Sequence, residues 1–285
     1  MSFLQILILF IAAILGGTLN SVAGGGSFIT FPSLIFAGVL PINANATSTV
    51  ALWPGSVASI GAYRRELAKQ NRRLLLVLGV TSLIGGILGA ILLLRTSQTT
   101  FVRLIPYLLL LATLLFTFSG PITSRLRMLS KRVGAPHSVP PGSDQSITPF
   151  EIAFSEHIGK QLVTPSWPVL TGIALLQLLV AIYGGYFGGG IGILMLASLG
   201  LMGMENIHEM NALKTVLQGS INGVAVITFI VAGIVEWPQA IVMIIGAIIG
   251  GYAGARYARR LDPRLVRGFV ILVGFSMTFY FFLRG

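Results

Sequence analysis

The chain is 285 residues long, 54% hydrophobic and 9% charged, with a mean hydropathy of +0.88; a soluble domain carries about 25% charged residues, so a water-solvated fold is excluded and lipid is the implied solvent. It has no cysteine, which excludes disulfides, thiol chemistry and cysteine-ligated metals, and its histidines (His137, His157, His208) are too scattered for a metal site, so no cofactor is expected. The formal net charge of +11 does not imply a nucleic-acid partner, because the positives fall in short clusters between apolar runs, as in the cytoplasmic loops that flank transmembrane helices.

A helix needs about 20 apolar residues to cross the hydrocarbon core. The first candidate, residues 4–20, has no basic stretch ahead of it and continues into a glycine motif. It reads as a retained helix rather than a cleaved signal peptide. Gly24-Gly25-Gly26 follows, then a short apolar run over 28–40 and a full-length candidate over 45–63. A basic cluster (Arg64, Arg65, Lys69, Arg72, Arg73) separates it from candidates over 74–94 and 101–119. Residues 121–167 form a linker. It opens with Arg125, Arg127, Lys131 and Arg132, which suit anionic headgroups, and its Pro/Gly/Ser-rich middle, 134–149, is expected to be a flexible loop. A second series then begins with residues 168–186, Gly188-Gly189-Gly190 and a short run over 191–202. Candidates over 211–233, 240–257 and 265–283 complete it. The two short runs cannot span perpendicular to the bilayer and are expected to be half-helices or broken segments.

The two series are copies. Gly24-Gly25-Gly26 answers Gly188-Gly189-Gly190, and Asn45-Ala46-x-x-Thr49-Val50 answers Asn211-Ala212-x-x-Thr215-Val216. Gly85-Gly86-x-x-Gly89-Ala90 answers Gly250-Gly251-x-x-Gly254-Ala255, and Val102-Arg103 answers Val266-Arg267, all in one order at nearly constant separation. The loop that is basic in one copy is bare in the other: 232–239 holds Glu236 and no positive charge, whereas Arg256, Arg259, Arg260, Arg264 and Arg267 crowd the loop whose counterpart carries Arg95 and Arg103. The expected fold is an all-α polytopic membrane protein of two inverted-topology repeats, 1–120 and 168–285, each with about five segments of which one is short. The linker and basic loops then lie in the cytoplasm, both termini lie outside, and the protein is multi-pass in the inner (plasma) membrane.

Each triple glycine should open its short helix, where free N–H groups and the helix dipole suit an anion. That assigns Gly24, Gly25, Gly26, Gly188, Gly189 and Gly190 to substrate binding, with Ser27 as a cap or hydroxyl ligand; tight helix crossing is the competing reading. Lys214, early in an apolar helix, needs a partner if it lies deep, and an anionic substrate is one; snorkelling, or pairing with Glu205 or Glu209, is the alternative. Its counterpart is Ser48. Asn45, Ser48, Thr49 and Ser56 follow one helical face, as do Asn211, Thr215, Gln218 and Asn222, and Asn20 and Ser21 precede the first glycines. Such stripes turn inward, either to bind substrate or to link helices. His208, in the connection with Glu205 and Glu209, offers a group for proton coupling or belongs to a solvated cluster. Trp53-Pro54 and Glu236-Trp237-Pro238 read as interface or kink features.

The paired glycines, the Pro32 and Gly38 spacing, Asn211-Ala212-Leu213-Lys214 and Gly250-Gly251-Tyr252-Ala253-Gly254-Ala255 together resemble the TauE/SafE sulfite exporter family across nearly the whole chain outside the linker. The resemblance implies a non-enzymatic secondary transporter, often an exporter, of sulfite, sulfoacetate or a related small sulfur-containing anion. Uptake of an organosulfur or carboxylate anion, or a passive anion channel, is the alternative. One departure is that the second copy has no proline matching Pro32.

Overall fold

The computed structural model describes residues 1–23, 25–60, 67, 70, 72–133, 167–202, 204, 207–257 and 263–284. Among them are ten helices and no strand: α1 Phe3–Ala23, α2 Ser27–Phe36, α3 Pro41–Ile60, α4 Arg72–Arg95, α5 Gln98–Val133, α6 Trp167–Tyr186, α7 Ile191–Leu201, α8 Ile207–Val231, α9 Trp237–Tyr257 and α10 Pro263–Arg284. The apolar runs, both short ones included, become helices because a chain in lipid must satisfy its backbone polar groups within each segment. α1, α4 and α8 each carry a window long and apolar enough to cross a bilayer (Phe3–Asn20, Arg72–Arg95, Glu209–Val231). Outward faces such as Leu76, Val80, Ile84 and Leu88 on α4, or Ile241, Ile245, Ile248 and Ile249 on α9, expose large aliphatic side chains, as a lipid-facing surface does.

Several boundaries differ from the expectation: α2 ends at Phe36 rather than 40, α3 begins at Pro41 rather than 45, and two further differences move charged residues. The helix of α5 does not stop near 119 but runs through residues 121–133, because a polar basic stretch can continue a helix beyond the apolar layer. α8 starts at Ile207, so Glu209 lies in its first turn rather than in a connection; an acidic residue there complements the helix dipole.

Glycines set the closest contacts. Gly246 meets Phe10 and Ala13, Gly250 meets Ile14, and Gly251 faces Gly17, so α1 and α9 run side by side in the same direction. Gly85 meets Leu178 and Ala181, and Gly89 meets Ile182 and Tyr186, so α4 and α6 are parallel in the same way. A Cβ on Gly250 would run into the Ile14 carbonyl oxygen, and one on Gly89 into that of Ile182. Close backbone approach is how helices associate where no hydrophobic force separates helix from lipid. α5 and α10 are antiparallel, with Thr113 against Gly274 and Tyr107 edge-on to Phe282.

Hydrogen bonds gather one end of the bundle. Asn43 Nδ2 at the start of α3 donates to Glu236 Oε1 before α9 (3.2 Å), and Gln98 Oε1 at the start of α5 accepts from the Ile42 N–H (3.1 Å). The starts of α3, α5 and α9 therefore share this end. The start of α1 joins them through its pairing with α9, and Gln5 Nε2 donates to the Ala37 carbonyl just beyond α2 (3.3 Å). α2 thus returns along α1 toward the end where α1 began. Its first residues lie deep: Gly26 packs on Gly16 and Asn20, and Gly16 stands ~20 Å along α1 at 1.5 Å per residue.

Candidate functional site

The second glycine motif is a tight turn. Gly188 and Gly190 have φ of 73° and 72°, the left-handed region that a side chain disfavours, and Gly190 is the N-cap of α7 with no side-chain cap. The Tyr183 hydroxyl donates to the Gly189 carbonyl (2.7 Å) and holds the turn against α6. Gly25 and Gly26 are not left-handed; Gly26 caps α2 from a right-handed conformation, also without a side-chain cap. Both motifs open a short helix, but they are not conformational copies. Ser27 is half-buried at the first position of α2, while Gly24 and the side chain of Ser21 lie outside the described residues.

The α3 stripe is occupied by its own bonds. Asn45, 3% exposed, donates from Nδ2 to the Tyr186 carbonyl (3.0 Å), one of the last carbonyls of α6, which the helix itself leaves unpaired. The hydroxyls of Ser48 and Thr30 lie 2.6 Å apart, and Thr30 Oγ1 also donates to the Gly26 carbonyl (3.2 Å). Thr49 Oγ1 donates to the Asn45 carbonyl (2.9 Å), and Asn20 Nδ2 donates to Ser56 Oγ (2.9 Å). These side chains link α1, α2, α3 and α6.

The α8 stripe is different. Lys214, Gln218 and Asn222 are 8%, 7% and 9% exposed, and at i, i+4 and i+8 they share a face. No described residue hydrogen-bonds or ion-pairs with the Lys214 ammonium or the Gln218 amide, and Asn222 Oδ1 is buried without a partner. Asn211 is half-buried near the same face, and Thr215 bonds back to the Asn211 carbonyl (2.7 Å). The repeat register explains the contrast. Thr30, which meets Ser48, corresponds to Leu194; Asn20, which meets Ser56, corresponds to Gly184. Where half one supplies a hydroxyl or an amide, half two supplies an aliphatic chain or nothing, so Lys214 and Asn222 lack the partners that Ser48 and Ser56 have. Lys214 does not pair with Glu209, whose Oε2 accepts from Gln70 Nε2 (2.9 Å). Glu205 and the side chain of His208 lie outside the described residues.

Trp53 is not an interface residue: its indole N–H donates to the Gly219 carbonyl (3.0 Å), tying α3 to the middle of α8. Two contributors are absent from the expected set, Thr30 and Tyr183. Thr30 had a legible signal, a hydroxyl in a short apolar helix opposite Ser48; Tyr183 had none, because its role depends on the shape of the glycine turn.

A buried lysine and carboxamide in a bundle with apolar outer faces are costly, and they stand beside a helix interrupted within the bundle. A multi-pass membrane transporter is the class these features define. Comparison with known proteins agrees: the chain matches the family described as sulfite exporter TauE/SafE over residues 9–281. The chain belongs to that family. It is 25% identical over 272 residues to a probable membrane transporter protein of Haemophilus influenzae, covering 95% of this chain and 92% of the relative. It is also 25% identical to the probable membrane transporter protein YfcA of Escherichia coli K12 (95% and 87% covered) and to ORF9, a probable membrane transporter protein of Sinorhizobium sp (95% and 89%). No solved structure matches.

Proposed function

We propose that the protein is a secondary transporter, working by alternating access, that exports sulfite or a small organosulfur anion across the inner membrane. The observation that carries this reading is the buried α8 stripe with an unpartnered lysine. A cation held in a low-dielectric bundle without a counter-charge is a site for an anion, and an ammonium with rotatable donors suits a small oxyanion.

Two inverted repeats, 1–120 and 168–285, joined by a cytoplasmic linker over 121–167, account for the packing. Exchanging the halves turns the α1·α9 pairing into α6·α4, α3·α9 into α8·α4, and α2·α3 into α7·α8, each of which occurs. α4 runs toward the Glu236 end and α9 away from it, α6 follows α4 and α1 follows α9, directions that support a reversal of the first and fourth helices between the halves. Trp53 bonds its own counterpart in the repeat register, Gly219, which supports a relating axis between α3 and α8. The α8 stripe straddles that level, where transporters of inverted repeats hold substrate. With the basic loops in the cytoplasm, the Glu236 end and both termini are outside.

The α7 N-terminus and Lys214 form two stations on one path. Ile191 and Ile221 both meet Gly184, so the glycine turn lies level with the Asn222 end of the stripe, ~10 Å from Lys214 along α8 at 1.5 Å per residue. One sulfite cannot touch both. The N-terminus of α7, where the Ile191 and Ile193 N–H groups already donate to Gly188 and Gly190 and the Gly192 N–H is left over, takes the anion at one station, Lys214 takes it at the other, and Gln218 lies between. Purified protein in liposomes should show saturable sulfite counterflow that Lys214→Ala lowers at least ~100-fold, the worth of about 3 kcal/mol of lost charge pairing. Undiminished flux in Lys214→Ala would sink the assignment, and high unitary conductance would replace the carrier with a channel.

A further inference from the structure

The hydrogen bonds at the two ends of the bundle are one device built twice. At one end Asn43 Nδ2, from the start of α3, donates to Glu236 Oε1 in the turn before α9 (3.2 Å). At the other, Gln70 Nε2, in the connection before α4, donates to Glu209 Oε2 in the first turn of α8 (2.9 Å). In the register that matches Asn45 with Asn211, Asn43 corresponds to Glu209 and Gln70 corresponds to Glu236. Each bond therefore joins the start of the third helix of one half to the turn ahead of the fourth helix of the other. In each, one partner is an amide and the other a carboxylate, with the roles exchanged. The two lie at opposite ends of α3 and α8, ~30 Å apart for the 20 residues of α3, and all four side chains are half-buried. Neither bond lies within a half, so either must break if the halves part at that end.

We infer that Asn43–Glu236 and Gln70–Glu209 are the two latches of the transport cycle, each closing one face of the path along α8. This rests on the alternating-access reading above. Both latches are made in the present structure, which is thus tied at both ends, and opening toward either side releases one of them. An amide–carboxylate bond suits the task. It is charge-assisted and directional, yet at a half-exposed site its partners are readily rehydrated when it breaks. The Glu236 latch is braced: Gln98 Nε2 donates to Asn43 Oδ1 (3.4 Å), and the Glu236 N–H donates to Thr47 Oγ1 (3.0 Å).

The chain has no cysteine, so Thr215→Cys on the α8 helix serves as a single reporter. It is labelled with a membrane-impermeant methanethiosulfonate applied to one face or the other of vesicles with oriented protein. Asn43→Glu sets two carboxylates against each other at one latch, and Gln70→Glu does the same at the second. Asn43→Glu should raise labelling from the Glu236 face about tenfold, the shift expected for losing one hydrogen bond to a charged group, and lower it from the opposite face. Gln70→Glu should do the reverse. Adding Glu236→Gln to the first variant, or Glu209→Gln to the second, rebuilds an amide–carboxylate pair with exchanged roles and should return both rates to those of the reporter alone. Should a single variant not reach the membrane, the exchanged pair decides by itself, since parental labelling supports the latch and any shift overturns it. A reporter reached from both faces whose labelling the single variants leave unchanged, or move in the same direction, overturns the latches alone. A reporter never reached from more than one face, in any variant, removes the alternating-access reading as well.

Discussion

Replacing Lys214 with Met should make the protein more stable while abolishing transport. Met keeps an unbranched stem of comparable length and discards the ammonium. Lys214 is 8% exposed, sits between the fully buried Leu213 and the half-buried Thr215, and has no partner among the described residues. The ligand-free protein thus carries a cation whose desolvation nothing in the described fold offsets. Insertion scales put a central lysine about 3 kcal/mol above an aliphatic residue. Neighbouring Gln218 and Asn211, and water admitted beside them, reduce that cost, so the expected gain is about 1–3 kcal/mol. At about 2 °C per kcal/mol for a chain of this size, ligand-free Lys214→Met in detergent should melt about 2–6 °C above the parent. Sulfite should raise the melting temperature of the parent, as any ligand bound only by the folded state does, and raise that of the variant less, because only the α7 station remains. A variant that melts below the parent would refute the reasoning. It would mean that the ammonium is satisfied within the protein and is kept for the fold, as one member of a buried ion pair is.

Two further outcomes follow from the packing. Gly250→Ala and Gly89→Ala, where a Cβ meets a carbonyl oxygen of the paired helix, should each cost about 1–3 kcal/mol, whereas Gly79→Ala and Gly172→Ala, with nothing within 4 Å, should be neutral or slightly stabilising; thermal unfolding of the four variants side by side checks this. Gly190→Ala forces a side chain into the left-handed region and against Ala112 (3.1 Å), so it should lose about 1–2 kcal/mol and reduce sulfite flux more than Gly79→Ala does, read by the same melts and by liposome counterflow.

Hydropathy made the helices legible because lipid enforces one rule on every spanning segment. The short helices were marked by glycines that interrupt apolar runs at residues 24–26 and 188–190. The continuation of α5 to Val133 was not legible, since hydropathy registers where a helix leaves the apolar layer and not where it ends. The polar stripes were legible as faces but not as occupied or open. Whether Ser48 or Lys214 is satisfied depends on residues 30 and 194, which no local pattern connects to positions 48 and 214. Only the repeat register links them, and there a threonine stands against a leucine. The same register relates Asn43 to Glu209 and Gln70 to Glu236, pairs that are unremarkable until two hydrogen bonds join them crosswise.

The glycine-sealed pairing of α1 with α9 also has a consequence for synthesis. α1 finds its main neighbour only when α9 has been made, and α4 must wait for α6. During translation the glycine faces of α1 and α4 stand open to lipid until α9 and α6 arrive, although α1, α2 and α3 can already bond to one another. Two separately expressed halves should accumulate only together, and a chain truncated before α9 is the natural prey of membrane proteases.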